Sequence, residues 1–319
     1  MSEDRRFGTA ERKPLREEPS WEQVLTKNSI ERLKKDRQPV GIVHEIPDLA
    51  AKHYLDVAEE DIVRLQWYGL YHDKPKTGQF MMRIKVPGGL LPPQSLRAIG
   101  EVTNQYGQGQ AELSTRQNVQ LHFVGLSEVP DILARLREAG LTTAGACGDA
   151  VRNVTGCPLQ GVLAAEAFDV TPIVEEVSSF FAGNPEYMDL PRKHKITIAA
   201  CPSQCDMPEI NCISLIGAVR EGAPGFGVRV GGGLSTVPRL GHDLGVWIPA
   251  ADAMPVLRAL LDAWKEDRRY RLSRIKARMK FMVDDYGAEG MRQQVEDRLG
   301  RRLPDGRAPD PEGFADHMG

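Results

Sequence analysis

The sequence predicts an α+β protein built from two modules. Two observations carry this. Between residues 79 and 139 period-two and helical apolar patterns alternate in the order β-α-β-β-α. Between residues 171 and 299 a helix, three strand-like runs and three further helical segments follow. A chain of 319 residues has room for two such cores.

The elements read as follows. Residues 1–20 are polar and charged, and 21–36 fit an amphipathic helix that packs on the body. With the Pro-containing linker of 37–50 they form an N-terminal extension, residues 1–60. From 61 to 142 the pattern tightens. Gln79 to Val86 is a strand that ends at the turn signal Pro87-Gly88-Gly89. Pro93 to Tyr106 is a helix, with Leu96, Ile99 and Val102 on one face. Strands follow at 111–114 and 119–123, and a helix at 129–139. This order is that of a ferredoxin-like half domain. The second module, 143–303, opens with a loop rich in Cys, Gly and Arg. It continues with a helix at 171–181, strands near 196–200, 211–219 and 226–230, and helices at 251–266, 271–284 and 288–299. Residues 304–319 have linker composition.

Composition excludes several function classes. A net charge of −3 argues against a nucleic-acid binder driven by bulk charge. No apolar run is long enough to span a membrane, and the charged N-terminus is no secretory signal. The cytoplasm is therefore the expected location. Without a secretory signal, five cysteines read as thiols, metal ligands or core residues, not as a disulfide frame.

The chemistry gathers in basic motifs. Leu190-Pro191-Arg192-Lys193-His194-Lys195 precedes a strand. Alternate side chains of an extended segment share a face, so Lys193 and Lys195 point the same way and repel unless an anion lies between them. Arg83 lies among apolar neighbours, Arg116 in the polar run Ser114–Gln120, and Arg152 between Cys147 and Cys157. A local ion pair explains any one of them. Together with the lysines they indicate a pocket for a multiply charged anion. The Gly231-Gly232-Gly233-Leu234-Ser235 loop after a strand offers backbone N–H groups to carboxylate or phosphate oxygens, a plain turn being the alternative. Cys201 and Cys205, with three residues between them, form half of an iron–sulfur or zinc site, and buried structural thiols are the alternative.

Taken together these motifs resemble the siroheme-dependent assimilatory nitrite and sulfite reductases. The matching runs are Trp67–Tyr71, Phe80–Lys85 before Pro87-Gly88-Gly89, Ser114–Gln120, Asp149–Pro158, Leu190–Lys195, Gly225–Ser235 and Arg271–Phe281, in the family's order over about residues 28–303. The resemblance implies two similar repeats packed with pseudo-twofold symmetry around one siroheme and one [4Fe–4S] cluster, this chain corresponding to the first. The family's cluster ligands, C-x5-C and C-x3-C, lie in the second repeat. No C-x5-C occurs here, and Cys201 and Cys205 take the first repeat's equivalent of the C-x3-C position. By motif position, Arg83, Arg152, Lys193 and Lys195 look like the residues that hold the substrate oxyanion over the siroheme iron. Arg116, Gln120, Asn153, Gly231, Gly232, Gly233 and Ser235 look like siroheme contacts.

The implied activity is six-electron reduction of sulfite to sulfide or nitrite to ammonia, with a ferredoxin-like or other electron donor. The implied partner is a chain carrying the C-terminal half. Lys195 inclines the reading toward sulfite, because plant-type nitrite reductases resemble this motif with Asn there. Two other readings stand beside it: a non-catalytic siroheme-binding subunit or fragment that needs a cluster-bearing partner, and a small iron–sulfur protein using its own cysteines.

Overall fold

The computed structural model describes residues 14–75 and 77–313. The polar stretch 1–13 and the end of the tail, 314–319, lie outside the described residues. The N-terminal extension is more ordered than its composition suggests. In place of one helix over 21–36 it forms α1 (Trp21–Lys27) and α2 (Ser29–Asp36), divided at Asn28. The Asn28 side chain accepts from the Ile30 and Glu31 N–H groups, a cap that starts a new helix instead of continuing the old one. Its Nδ2 donates to the Arg271 carbonyl at 2.7 Å, which ties the extension to the second module. The segment read as a linker contains α3 (Ile42–Ala50), whose Ile42, Ile46 and Leu49 are buried despite Pro47. Next comes α4 (Glu59–Leu65).

The first sheet comprises β1 (Leu70–His72), β2 (Gln79–Ile84), β3 (Ala111–Leu113) and β4 (Val119–Gly125), in the order β1-β2-β4-β3, antiparallel throughout. Helices α5 (Pro93–Tyr106) and α6 (Val129–Glu138) complete the half domain. One core holds Phe80, Met82, Ile84, Val102, Leu121 and Ile132, all fully buried. Alternation along β2 therefore turns Met81 and Arg83 to the opposite face.

The second module holds α7 (Thr171–Phe181), β5 (Ile196–Ala199), β6 (Ile213–Arg220), β7 (Ala223–Val230), β8 (His242–Pro249), α8 (Ala253–Glu266) and α9 (Met279–Leu299). Its sheet runs β5-β6-β7-β8, with β5 parallel to β6 and the rest antiparallel. The stretch 271–284 is not one helix. A short turn at Arg274–Lys276 precedes α9, and Gly287 breaks α9 internally at φ +67°. Trp264 is fully buried, its indole N–H donating to Ala277 at 3.0 Å.

Residues 304–313 do not behave as a linker. Pro304 accepts the Trp247 N–H at 3.0 Å, Ala308 donates to Asp243 Oδ2 at 2.8 Å, and the Glu312 N–H reaches Pro202 at 2.9 Å. The strap crosses β7 so closely that a Cβ at Gly227 would come within 2.2 Å of Ala308 Cα. The modules meet along 142–157. Lys85 pairs with Thr142, and Val151 and Thr155 pair in parallel with His194 and Thr197 beside β5.

Candidate active site

Opposite positions on β2 and β4 place Arg83 against Gln120. Gln120 Oε1 accepts from Arg83 Nε at 2.9 Å and from Nη2 at 2.6 Å. Arg83 Nη1 points at Cys147 Sγ, 3.2 Å away, and the guanidinium lies 5.9 Å from the Tyr71 ring centre. Burial and the neighbouring Cys147 raise the Tyr71 phenol, while Arg152 and Arg83 oppose the shift.

Arg152 closes the other side of Cys147. Its Nη atoms donate to Ala146 O at 2.9 Å and Gly148 O at 2.8 Å, so it holds the loop by its carbonyls. Arg116 joins the modules by donating to Asn153 O (2.7 Å), Ile196 O (3.0 Å) and Asn211 Oδ1 (2.7 Å). Asn153 is fully buried and directs Nδ2 to Val86 O at 2.6 Å and Arg116 O at 2.9 Å. Its Oδ1 has no partner.

The 190–195 motif divides by alternation. His194 is fully buried, 5.3 Å from Trp264, and both ring nitrogens lack partners. Burial keeps it neutral, with a pKa well below the usual histidine value. Lys193 and Lys195 flank it and face the other way. Burial lowers the Lys193 ammonium to about 8, with Arg152, Arg278 and Lys195 adding repulsion. Lys195 is lowered by burial, then by Arg116, Arg278 and Arg152. Arg192 stands apart, because it donates to the buried Asp149 carboxylate at 3.1 Å, which Arg274 also reaches at 2.7 Å.

Two cations that the motif reading left without a role belong to the same cluster. Lys85 is 1% exposed and its Nζ has no partner. Burial, Arg152 and Arg116 lower it to about 8. Its position two residues beyond Arg83 on an extended run was the available signal. Arg278 is 8% exposed and donates to Cys212 Sγ at 3.1 Å, with Nε unpartnered. Burial also lowers Arg116, to about 10. Among the described residues no carboxylate lies in ion-pair range of Lys85, Arg116, Arg152, Lys193, Lys195 or Arg278. Several buried cations without a carboxylate leave a local excess of positive charge that favours an anion.

The glycine loop works differently from its sequence expectation. Gly231 donates to Cys212 O at 2.8 Å and Gly233 to Arg239 O at 2.9 Å, so these N–H groups are used internally. A Cβ at Gly232 would stand 2.3 Å from Glu209 O, so glycine is required there for packing. The carbonyls of Gly233, Leu234 and Val237 receive Lys280 Nζ. Gly231 and Gly233 are buried, whereas Leu234 and Ser235 are exposed, Ser235 at φ +93°.

The cysteines do not assemble in one place. Cys147 adjoins Arg83, and Cys212 adjoins Arg278. Cys157 is pushed up to about 12 by burial and by adjoining Cys201 and Cys205, of which Cys201 is buried and Cys205 exposed. Among the described residues no three His, Cys, Asp or Glu side chains are arranged to hold a metal ion. A cleft of about 220 Å³ touches Tyr71, Gly148, Asp149, Arg152, Arg192 and Arg274. A separate cavity of about 950 Å³ lies away from this chemistry, between Trp21 and Arg271, and mixes acids with bases.

Residues 72–139 match the nitrite/sulfite reductase ferredoxin-like half domain, and residues 147–303 match the nitrite and sulphite reductase 4Fe-4S domain. The chain belongs to the siroheme nitrite and sulfite reductase family. It is 36% identical over 313 residues to a sulfite reductase [ferredoxin] of Mycobacterium tuberculosis, covering 92% of this chain and 56% of that protein. It is 35% identical over 297 residues to the chloroplastic ferredoxin–nitrite reductase of Arabidopsis thaliana, covering 88% and 50%. The solved structure of Mycobacterium tuberculosis NirA aligns with a TM-score of 0.85 at 35% identity, over 91% of this chain and 57% of that one. Dissimilatory sulfite reductase I aligns at TM-score 0.58 and 12% identity, a likeness of fold. The chain thus spans about half the length of the curated relatives it matches.

The family implies siroheme and a [4Fe–4S] cluster as cofactors. The unpartnered Lys85 Nζ, Arg116 Nε, Arg152 Nε and Arg278 Nε fit a polycarboxylate tetrapyrrole. The cysteine positions do not fit a cubane, which needs four thiolates within reach of one cluster.

Proposed function

We propose that this chain supplies the anion- and siroheme-binding half of an enzyme that reduces sulfite or nitrite by six electrons. The observation that carries the reading is the set of six buried or half-buried cations, from Lys85 to Arg278, with no carboxylate among the described residues to offset them. Arg116, Lys85 and Arg278 would receive siroheme carboxylates beside the 231–235 loop, with Gln120 aiming Arg83 and Asn153 holding Arg116. Arg83, Arg152, Lys193 and Lys195 would hold the oxyanion.

When bound, siroheme supplies the iron that takes up the oxyanion and delivers electrons to it. The chain's own residues do the rest. Arg83 is aimed by Gln120, and Arg152 is fixed by two carbonyls, so both bring preorganised charge to an anion that loses oxygen. Lys193, lowered to about 8, holds a proton near neutral pH and releases it more readily than an ordinary lysine. Such a group suits protonation of the departing oxygen.

We further propose that the cluster ligands come from a second half, on the same polypeptide or on a partner, with a ferredoxin-like donor feeding it. The dispersed cysteines support this. They equally favour a siroheme-binding unit that is silent alone. The test is reduction of sulfite and of nitrite by chemically reduced donor, with this chain alone and with a cluster-bearing half. Turnover only in the combination is expected. Turnover by this chain without any added half would overturn the division of labour, and no turnover in either arrangement would overturn the reading as a reductase.

A further inference from the structure

One buried acid stands inside the cation cluster. Cys212, 1% exposed, lies just before β6, and its backbone is pinned on both sides. Its N–H donates to Lys195 O at 3.0 Å, and its carbonyl accepts the Gly231 N–H at 2.8 Å, which fixes the main chain that carries Sγ. Arg278 Nη2 approaches Sγ to 3.1 Å. Arg278 is itself 8% exposed, its Nε has no partner, and no carboxylate among the described residues pairs with it. A protonated thiol would leave this guanidinium buried without an anion, a costly state. A thiolate would offset it through a charge-assisted hydrogen bond.

We propose that Cys212 is the resident counter-ion of the anion crevice, a thiolate that holds Arg278 and offsets its charge until an external anion arrives. Its pKa direction agrees: burial alone would raise the thiol, yet Arg278 and Lys195 bring it below the ordinary cysteine value. Cys212 is on this account a positioning residue that acts through Arg278. The proposal deepens the proposed function and rests on the crevice being an anion site. It needs neither siroheme nor turnover.

The groups facing Cys212 fix the sign of its pH dependence. They are Lys195 at the start of β5, Arg116 from the turn before β4, Arg278 before α9 and Lys280 within α9. Burial lowers Arg116 to about 10 and also lowers Lys195 and Lys280, and acidification can only protonate such cations, never discharge them. Acidification through the thiol's pKa therefore removes the internal negative charge at Cys212 and strengthens binding of an external anion.

The experiment uses the purified full chain, the ultraviolet thiolate band and calorimetric titration with nitrite. At neutral pH, Cys212→Ser should remove one thiolate's absorbance. It should also bind nitrite about tenfold more tightly than wild type, as expected for deleting one nearby negative charge. The two affinities should converge in acid. An unchanged thiolate band, or weaker nitrite binding by a constant factor at every pH, would overturn the proposal and make Cys212 a packing residue. Should Cys212→Ser not fold, acid titration of wild type decides: loss of the band together with tighter nitrite binding supports the counter-ion, and either change without the other refutes it. Nitrite binding to neither protein would tell against the crevice as an oxyanion site, while the band still reports the state of Cys212.

Discussion

Arg83 on β2 lies opposite Gln120 on β4, and the Arg83 Nε and Nη2 atoms share the single oxygen Gln120 Oε1 at 2.9 and 2.6 Å. The pairing directs Arg83 along the sheet face toward Cys147, and among the described residues no carboxylate pairs with it.

Gln120→Leu should therefore weaken nitrite or sulfite binding while leaving the fold in place. Hydrogen bonds to a charged group contribute about 1.5–3 kcal/mol when both partners are desolvated. Arg83 is half-exposed and finds water instead, so the stability loss belongs at the lower end. Thermal denaturation beside anion titration checks this. A fall in stability with unchanged anion affinity would place Arg83 outside the site.

Lys193→Ala should lower turnover of the reconstituted enzyme with little change in stability. Losing one transition-state donor costs about 2.7–4 kcal/mol in barrier height by analogy with oxyanion-site deletions. Unchanged kinetics for Lys193→Ala and Lys195→Ala together would mean that the oxyanion binds elsewhere.

Lys85→Met should move stability and binding in opposite directions. The ammonium is buried without a partner, so its removal should stabilise the chain free of cofactor. The same change should weaken siroheme binding. A destabilised Lys85→Met protein, by denaturant unfolding, would show that an internal anion already satisfies the lysine.

The alkaline pH response follows from Lys85 and Lys193, both lowered from about 10.5 to about 8. Between these values the unfolded chain binds more protons than the folded one, so stability rises with pH. Below about 8 both states are protonated and this contribution is flat. Anion affinity should fall across the same alkaline window, as the cations lose their protons. Calorimetric unfolding and anion titration as functions of pH test the two opposite slopes.

Much of this was legible in the sequence because local patterns agreed with the fold. The alternation of Phe80, Met82 and Ile84 announced β2, and the 190–195 motif announced that Lys193 and Lys195 share a face. What stayed hidden depended on distant chain. Pro47 made α3 read as a linker, although Ile42, Ile46 and Leu49 already had helical spacing. Strand β8 was masked by the glycines around His242–Gly245, and the tail by its prolines. Lys85 became a site candidate only through the fold, which pairs it with Thr142 and sets it near Arg152 and Arg116, and Arg278 only through its contact with Cys212. In the glycine loop the N–H groups of Gly231 and Gly233 serve the carbonyls of Cys212 and Arg239, which no sequence spacing reveals.

Anaerobic reconstitution of the isolated chain with iron and sulfide should yield no reducible cubane by electron paramagnetic resonance. Cys147 and Cys212 are committed to Arg83 and Arg278, away from the other three thiols. A cubane signal lost in Cys201→Ser and Cys205→Ser would make the chain an iron–sulfur protein in its own right.

The claim that the cations from Lys85 to Arg278 form one siroheme-binding crevice is tested most directly by titrating siroheme into the purified chain and following the visible spectrum. Saturable binding of one siroheme per chain is predicted, weakened by salt and by Arg116→Ala or Arg278→Ala without loss of fold. Siroheme that fails to bind, or binds the wild type and both variants equally, would contradict it.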